Sequence, residues 1–140
     1  MNNCRLEKQL GFILEIDKLK KVERKTLLTD GSRMENSAEH SWNIALMALV
    51  LSEYAAEADI DFCRVVKMLL VHDLVEIDAG DTYCYDEKRI VEQAAREKKA
   101  ADRIFNMLPE DQATEYRRLW DEFEAKKTPE SRFANAVDSM

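Results

Sequence analysis

The chain has 140 residues, 46% apolar and 35% charged, a balance that excludes a disordered segment and suits one domain with a sizeable core. Its 28 acidic against 21 basic residues leave a net charge of −7, the wrong sign for binding a nucleic-acid polymer. No apolar run approaches the roughly 20 residues of a membrane span, no secretory signal opens the chain, and Cys4, Cys63 and Cys84 are too few and too scattered for a disulfide framework, so a cytoplasmic protein is expected.

Leu6, Leu10, Ile13, Leu14 and Leu19 recur at helical spacing and predict an amphipathic helix over residues 5–21. The polar stretch Thr29-Asp30-Gly31-Ser32 reads as a loop. Ser37 is a natural N-cap for a second helix reaching to about Ala56. A third helix starts at Asp59 or Asp61 and is lined by Phe62, Val65, Val66, Leu69, Leu70 and Leu74. Its apolar residues cover much of the circumference, which makes it the central helix, and Gly80 stops it. A charged helix follows over residues 86–107 and is broken by Pro109. The next helix carries Tyr116, Leu119, Trp120 and Phe123. Thr128 and Pro129, an N-cap followed by proline at the first helical position, open a last helix bearing Phe133, Ala136, Val137 and Asp138. With three glycines and two prolines in all, the fold class is all-α.

Only two histidines occur, His40 in Ser37-Ala38-Glu39-His40-Ser41 and His72 in Leu69-Leu70-Val71-His72-Asp73-Leu74-Val75-Glu76. A lone histidine on an apolar helix is more often a hydrogen-bonded core residue than a ligand. Here, however, a His-Asp doublet puts charge into a buried helix, where it must be paired or bound to metal. His40, His72, Asp73 and the distant Asp138 lie on three different predicted helices that a bundle can bring to one point. Two imidazoles and two carboxylates suit a divalent Mn, Fe, Co, Zn or Mg ion. Neighbours on a helix diverge by about 100°, so His72 and Asp73 would grip an ion lying beside the end of their helix. Glu76, four residues after His72, shares its helical face and is placed for general acid–base work. Glu76, Asp78 and Asp81 crowd a helix C-terminus, which the helix dipole disfavours unless a cation is near.

Three blocks carry a resemblance: Arg33-Met34-Glu35-Asn36-Ser37-Ala38-Glu39-His40-Ser41, His72-Asp73-Leu74-Val75-Glu76-Ile77-Asp78-Ala79-Gly80-Asp81, and Ala136-Val137-Asp138. With them the chain resembles the HD-domain metal-dependent phosphohydrolases, and within these the subgroup that includes 5′-deoxynucleotidases. The resemblance implies a single HD domain over residues 1–140, a bundle of about six helices. It implies one divalent ion held by His40, His72, Asp73 and Asp138. Glu76 would be the acid/base group and Asp81 would place substrate or water, while Arg24 and Arg33 would face the substrate phosphate. The implied activity is phosphate release from a small phosphate ester, a (deoxy)nucleoside 5′-monophosphate, by attack of metal-bound water. A homodimer is implied as well, and the helix carrying Trp120 and Phe123 offers either an interface or ordinary core.

The chain departs from the subgroup at three places. Thr26-Leu27 stands where a Gly-Trp pair is common, and Thr82-Tyr83-Cys84-Tyr85 stands where prolines are usual. Only Ser139 and Met140 follow Asp138, so the family's C-terminal helices are expected to be missing. Two other functions compete. One is hydrolysis of a guanosine polyphosphate alarmone, disfavoured by Ile77 where those enzymes place a second acid. The other is a non-catalytic helical module that keeps a metal for stability alone.

Overall fold

The computed structural model describes residues 3–80 and 87–140, and its first helix, α1 (Asn3–Ile16), does not run on to residue 21. It tightens into a 3-10 turn over Asp17–Lys21, closed by the Val22 N–H bonding the Leu19 carbonyl at 3.1 Å. The tightening buries Leu19 and lets the chain leave extended at Val22.

The next segment differs from the all-helical expectation. Strand β1 (Glu23–Leu27) pairs antiparallel with β2 (Met34–Asn36), in a register that shifts by a bulge between Glu23↔Asn36 and Leu27↔Met34. The expected loop is the turn of this hairpin. Asp30 Oδ1 accepts the Ser32 N–H at 3.0 Å, and Gly31 takes φ +73°, a left-handed conformation that glycine adopts without strain. Strand β1 reads Glu-Arg-Lys-Thr-Leu and is mostly exposed, so no apolar alternation announces it.

Helix α2 (Ser37–Val50) is capped one residue earlier than expected. Asn36 Oδ1 accepts the Glu39 N–H at 2.9 Å, and Glu39 Oε1 accepts the Asn36 N–H at 3.0 Å, a complete capping box. The α-helix ends at Val50, with a further 3-10 turn over Ser52–Tyr54. Helix α3 (Phe62–Val71) is capped by Asp61, and Val65, Met68 and Leu69 on it are completely buried. Burying such a side chain contributes about 1.5–3 kcal/mol. α3 packs against α2, against α6 (Glu110–Ala125) and against α7 (Pro129–Asp138), and so takes the central place expected of it. Between them come α4 (Glu76–Ala79), a single turn, and α5 (Glu87–Phe105), whose Ile104 and Phe105 close the core. Six helices of ten residues or more among those described bear out an all-α bundle. None of them is long and apolar enough to cross a membrane.

Thr128 caps α7 and Pro129 opens it, as the sequence predicts. Trp120 and Phe123 belong to the core rather than to an interface, at 7% and 5% exposure. The apolar side chains left exposed are elsewhere, chiefly Leu10, Ile13 and Leu14 on α1 and Trp42, Leu46 and Leu49 on α2.

Part-buried ion pairs fasten the helices that carry the site. Glu130, in the first turn of α7, is buried; it accepts the Asp61 N–H at 3.0 Å and pairs with Arg64, which also reaches Glu122 at 3.2 Å. Removing Glu130 leaves the Asp61 N–H unpaired and leaves Arg64 with Glu122 alone. Breaking a fully buried pair costs about 3–5 kcal/mol, and the 38% exposure of Arg64 reduces this, so Glu130→Ala is expected to cost about 2 kcal/mol. Urea unfolding checks it: the midpoint falls while the slope stays constant.

Candidate metal centre

Residues 71–75 are all buried, which an unbroken amphipathic helix at the edge of a bundle cannot achieve. The chain solves this by leaving the α-helix at Val71. The Leu74 and Glu76 N–H groups bond three residues back, to Val71 and Asp73 carbonyls at 3.2 and 2.9 Å, and the Ile77 N–H does the same to Leu74 at 3.1 Å. The expected single helix to Ala79 is therefore two helices joined by a tight turn. That turn presents His72 and Asp73 together, with Leu74 and Val75 still in the core.

The four residues expected as ligands come together. One ligand atom each from His40, His72 and Asp73 lies within 4.8 Å of the others, and all three residues are buried. Asp138, on the last turn of α7, puts Oδ1 2.7 Å from His40 Nε2 and 3.4 Å from His72 Nε2. His72 Nε2 is 3.1 Å from Asp73 Oδ1.

The second nitrogen of His72 sets its tautomer. Nδ1 lies 2.6 Å from the Leu69 carbonyl, which can only accept, so Nδ1 carries the proton and the Nε2 lone pair faces the cluster. The ring also rests on Phe123, with centroids 4.7 Å apart. Among the described residues, His72 Nε2 and Asp73 Oδ2 are buried with no hydrogen-bond partner. A buried polar atom left so costs about 1–3 kcal/mol, and a cation satisfies both at once. Two imidazoles and two carboxylates with an aligned outer shell fit a divalent ion, and among the described residues no cysteine sulfur joins them.

Without a cation His72 takes up a proton instead. Burial pushes the His72 pKa down, but Asp73 and Asp138 push it up more strongly, to about 9. Burial acts to raise the Asp138 pKa, yet the hydrogen bonds and charges of the two histidines hold it well below the ordinary carboxylate range.

The groups around the centre separate into those at it and those beside it. Arg24, from β1, reaches over the cluster with Nη1 3.7 Å from Asp73 Oδ2. Arg33 does not: it is exposed and its guanidinium clamps both carboxylate oxygens of Glu39, one at 2.7 Å. That contact depresses the Glu39 pKa to about 2 and braces the cap of α2. Glu76 accepts the Ser37 hydroxyl at 2.7 Å. Asp78 has found its cation within the protein, receiving Arg103 Nε and Nη2 at 2.6 and 2.8 Å, while Arg103 also holds Glu15 at 2.9 Å and so ties α4 to α1. Asp81 lies outside the described residues.

Sequence reasoning gave Glu35 no role. Its Oε1 is 3.5 Å from both His40 Nδ1 and Arg24 Nε, between a candidate ligand and a candidate phosphate group. The signal was its place in the Arg33–His40 block. An open cleft of about 760 Å³ adjoins the centre, lined by Arg24, Thr26, Glu35, His40, Trp42 and Asp138 among others. Its size falls within the range of small-molecule sites.

A family model described as HD domain matches residues 16–140. The chain is 32% identical over 130 residues to the human 5′-deoxynucleotidase HDDC2, covering 92% of this chain and 62% of that protein. It is 29% identical over 121 residues to the 5′-deoxynucleotidase ECA3034 of Pectobacterium atrosepticum, covering 81% and 60%. A solved structure from Magnetospirillum magnetotacticum MS-1, described as a predicted metal-dependent phosphohydrolase, superposes with a TM-score of 0.88. Its identity is 56%, over 96% of this chain and 66% of that one. The chain thus spans a little under two thirds of the length of these relatives.

Proposed function

The chain belongs to the HD domain family, and from that premise we propose that it is a metal-dependent phosphohydrolase of nucleoside 5′-monophosphates. The observation that carries the reading is the convergence of His40, His72, Asp73 and Asp138 on one buried point beside an open cleft. The relatives named as 5′-deoxynucleotidases support the substrate class, and they lend no support to an alarmone hydrolase or a purely structural metal site.

In this reading those four residues hold one divalent ion. Such an ion, when bound, polarises a phosphoryl oxygen and lowers the pKa of water to near neutrality. The chain's own groups do the rest. Arg24 reaches over the cluster from β1, where its guanidinium would take two phosphate oxygens and offset charge that grows on them. Glu76 would accept a proton from the water that attacks phosphorus in line, and would return it to the nucleoside 5′-oxygen as that P–O bond breaks. Arg33 acts one step back, bracing the Glu39 cap and with it the helix that carries His40. Asp81 keeps the proposed role of placing substrate or water. The reading extends to a single HD domain working as a cytoplasmic homodimer: Cys63 is an exposed free thiol, and the exposed apolar stripe of α1 is available for a second copy.

The test is phosphate release from a panel of ribo- and deoxyribonucleoside 5′-monophosphates, with protein stripped of metal and resupplied with Mn, Co, Fe, Mg or Zn ions singly. Metal-dependent release is expected. Silence on every monophosphate from protein that has taken up metal would sink the reading.

A further inference from the structure

Glu35 stands in the middle of β2, with its side chain only 16% exposed. Across the hairpin, Arg24 is the one half-buried residue of β1, and the pairing of Glu23 with Asn36 sets the two side by side. A single carboxylate oxygen serves two neighbours: Glu35 Oε1 lies 3.5 Å from Arg24 Nε and 3.5 Å from His40 Nδ1. These are ion-pair distances, and contacts of this length in a catalytic site commonly tighten to hydrogen bonds when substrate binds. Arg24 Nε is buried and makes no hydrogen bond among the described residues, and Glu35 is the carboxylate paired with it. Both partners have their far ends at the metal centre. His40 Nε2 is 2.7 Å from Asp138 Oδ1, and Arg24 Nη1 is 3.7 Å from Asp73 Oδ2.

His72 shows what the contact to a histidine achieves. Its Nδ1 proton faces the Leu69 carbonyl, which leaves the Nε2 lone pair for the cluster. For His40 the acceptor beside Nδ1 is a carboxylate, which holds the proton there, frees Nε2 and makes the ring a stronger ligand. A carboxylate beside a phosphate site also repels phosphate, so its place there needs a gain elsewhere. Ordering a guanidinium and a metal ligand together supplies that gain. We infer that Glu35 is a positioning residue that couples the metal centre to the phosphate site, setting the tautomer of His40 and steadying Arg24 over the cluster. It acts through those two side chains and not on the reacting atoms. The inference rests on the proposed phosphohydrolase reading and deepens it.

The experiment compares Glu35→Ala with Glu35→Gln, which lose the same charge and differ in keeping an acceptor oxygen. Zinc affinity is measured against a competing chelator, and the affinity for inorganic phosphate on zinc-saturated protein. Glu35→Ala is expected to bind zinc ten- to a hundredfold more weakly than the unsubstituted protein, about the cost of losing an outer-shell partner, with Glu35→Gln recovering most of the loss. Phosphate should bind the alanine variant about three- to tenfold more weakly than the glutamine variant, because a loose arginine must be ordered on binding. In an Arg24→Ala background the phosphate difference should vanish while the zinc difference stays. Equal zinc affinity in the two variants, or a phosphate difference that survives without Arg24, overturns the inference. Should Glu35→Ala lose its fold, Glu35→Met, with the length of glutamine and no acceptor oxygen, takes its place. Neither affinity depends on turnover. A protein that hydrolyses no monophosphate would overturn the proposed activity, while the zinc and phosphate affinities still decide for or against Glu35; a protein that takes up no zinc would overturn both.

Discussion

Asp73→Ala is expected to yield a folded protein that neither retains a divalent metal through dialysis nor releases phosphate. Asp73 stands in the tight turn between α3 and α4, buried, with Oδ1 3.1 Å from His72 Nε2 and Oδ2 without a hydrogen bond among the described residues. Removing it takes one of four donors from the centre. It also takes away the negative charge that balances His72 and Arg24 there. Loss of an outer-shell partner alone usually costs ten- to a hundredfold in metal affinity or activity. Loss of a ligand, with its charge, should cost at least about a thousandfold in affinity on the same scale. Elemental analysis of dialysed protein and a thermal melt check the two halves of the expectation. The fold itself should survive, because the core around the turn is built by Val71, Leu74 and Val75 rather than by the aspartate. Metal-dependent turnover retained in Asp73→Ala would mean that the ion is held elsewhere.

The chemistry of this site was more legible in the sequence than its backbone. His72 and Asp73 could be picked out because they put charge into an apolar helix, where it needs a partner, and His40 and Asp138 because with that doublet they complete the ligand set that the resemblance implies. Their convergence then follows from packing α2 and α7 against α3. The central position of α3 was legible for the same reason, and the α7 cap because Thr128-Pro129 is a local signal. The break at residues 72–75 was not. Whether a turn closes with three- or four-residue spacing depends on burying five successive residues among helices that come from distant parts of the chain. The hairpin escaped because its strands are short and exposed, their order coming from pairing and not from pattern. Asn36 was passed over for Ser37 as the cap, although Glu39 three residues after Asn36 is the capping-box spacing. Arg33 and Asp78 kept their charges but not their expected partners. Glu39 and Arg103 compete for them, and only the fold decides which opposite charge is nearest.

Glu76→Gln separates holding the metal from using it. The substitution keeps the shape and a group able to accept the Ser37 hydroxyl, so the turn after Asp73 should stay in place and the metal content should match the unsubstituted protein. What disappears is a base: an amide oxygen cannot take a proton from water near neutral pH. Loss of positioned general acid–base catalysis costs about 10²–10⁴-fold, and the fall should appear in kcat with KM little altered, since Glu76 is assigned a proton rather than the phosphate. The contrast with Asp73→Ala is the informative part. If both variants lose metal, Glu76 is a structural member of the centre and another group must move the proton. If Glu76→Gln keeps its metal and turns over at the original rate, the acid/base assignment is wrong although the metal site stands. A variant full of metal and slow by two to four orders of magnitude is the result that the position of Glu76, four residues beyond His72 and gripped from α2, leads us to expect.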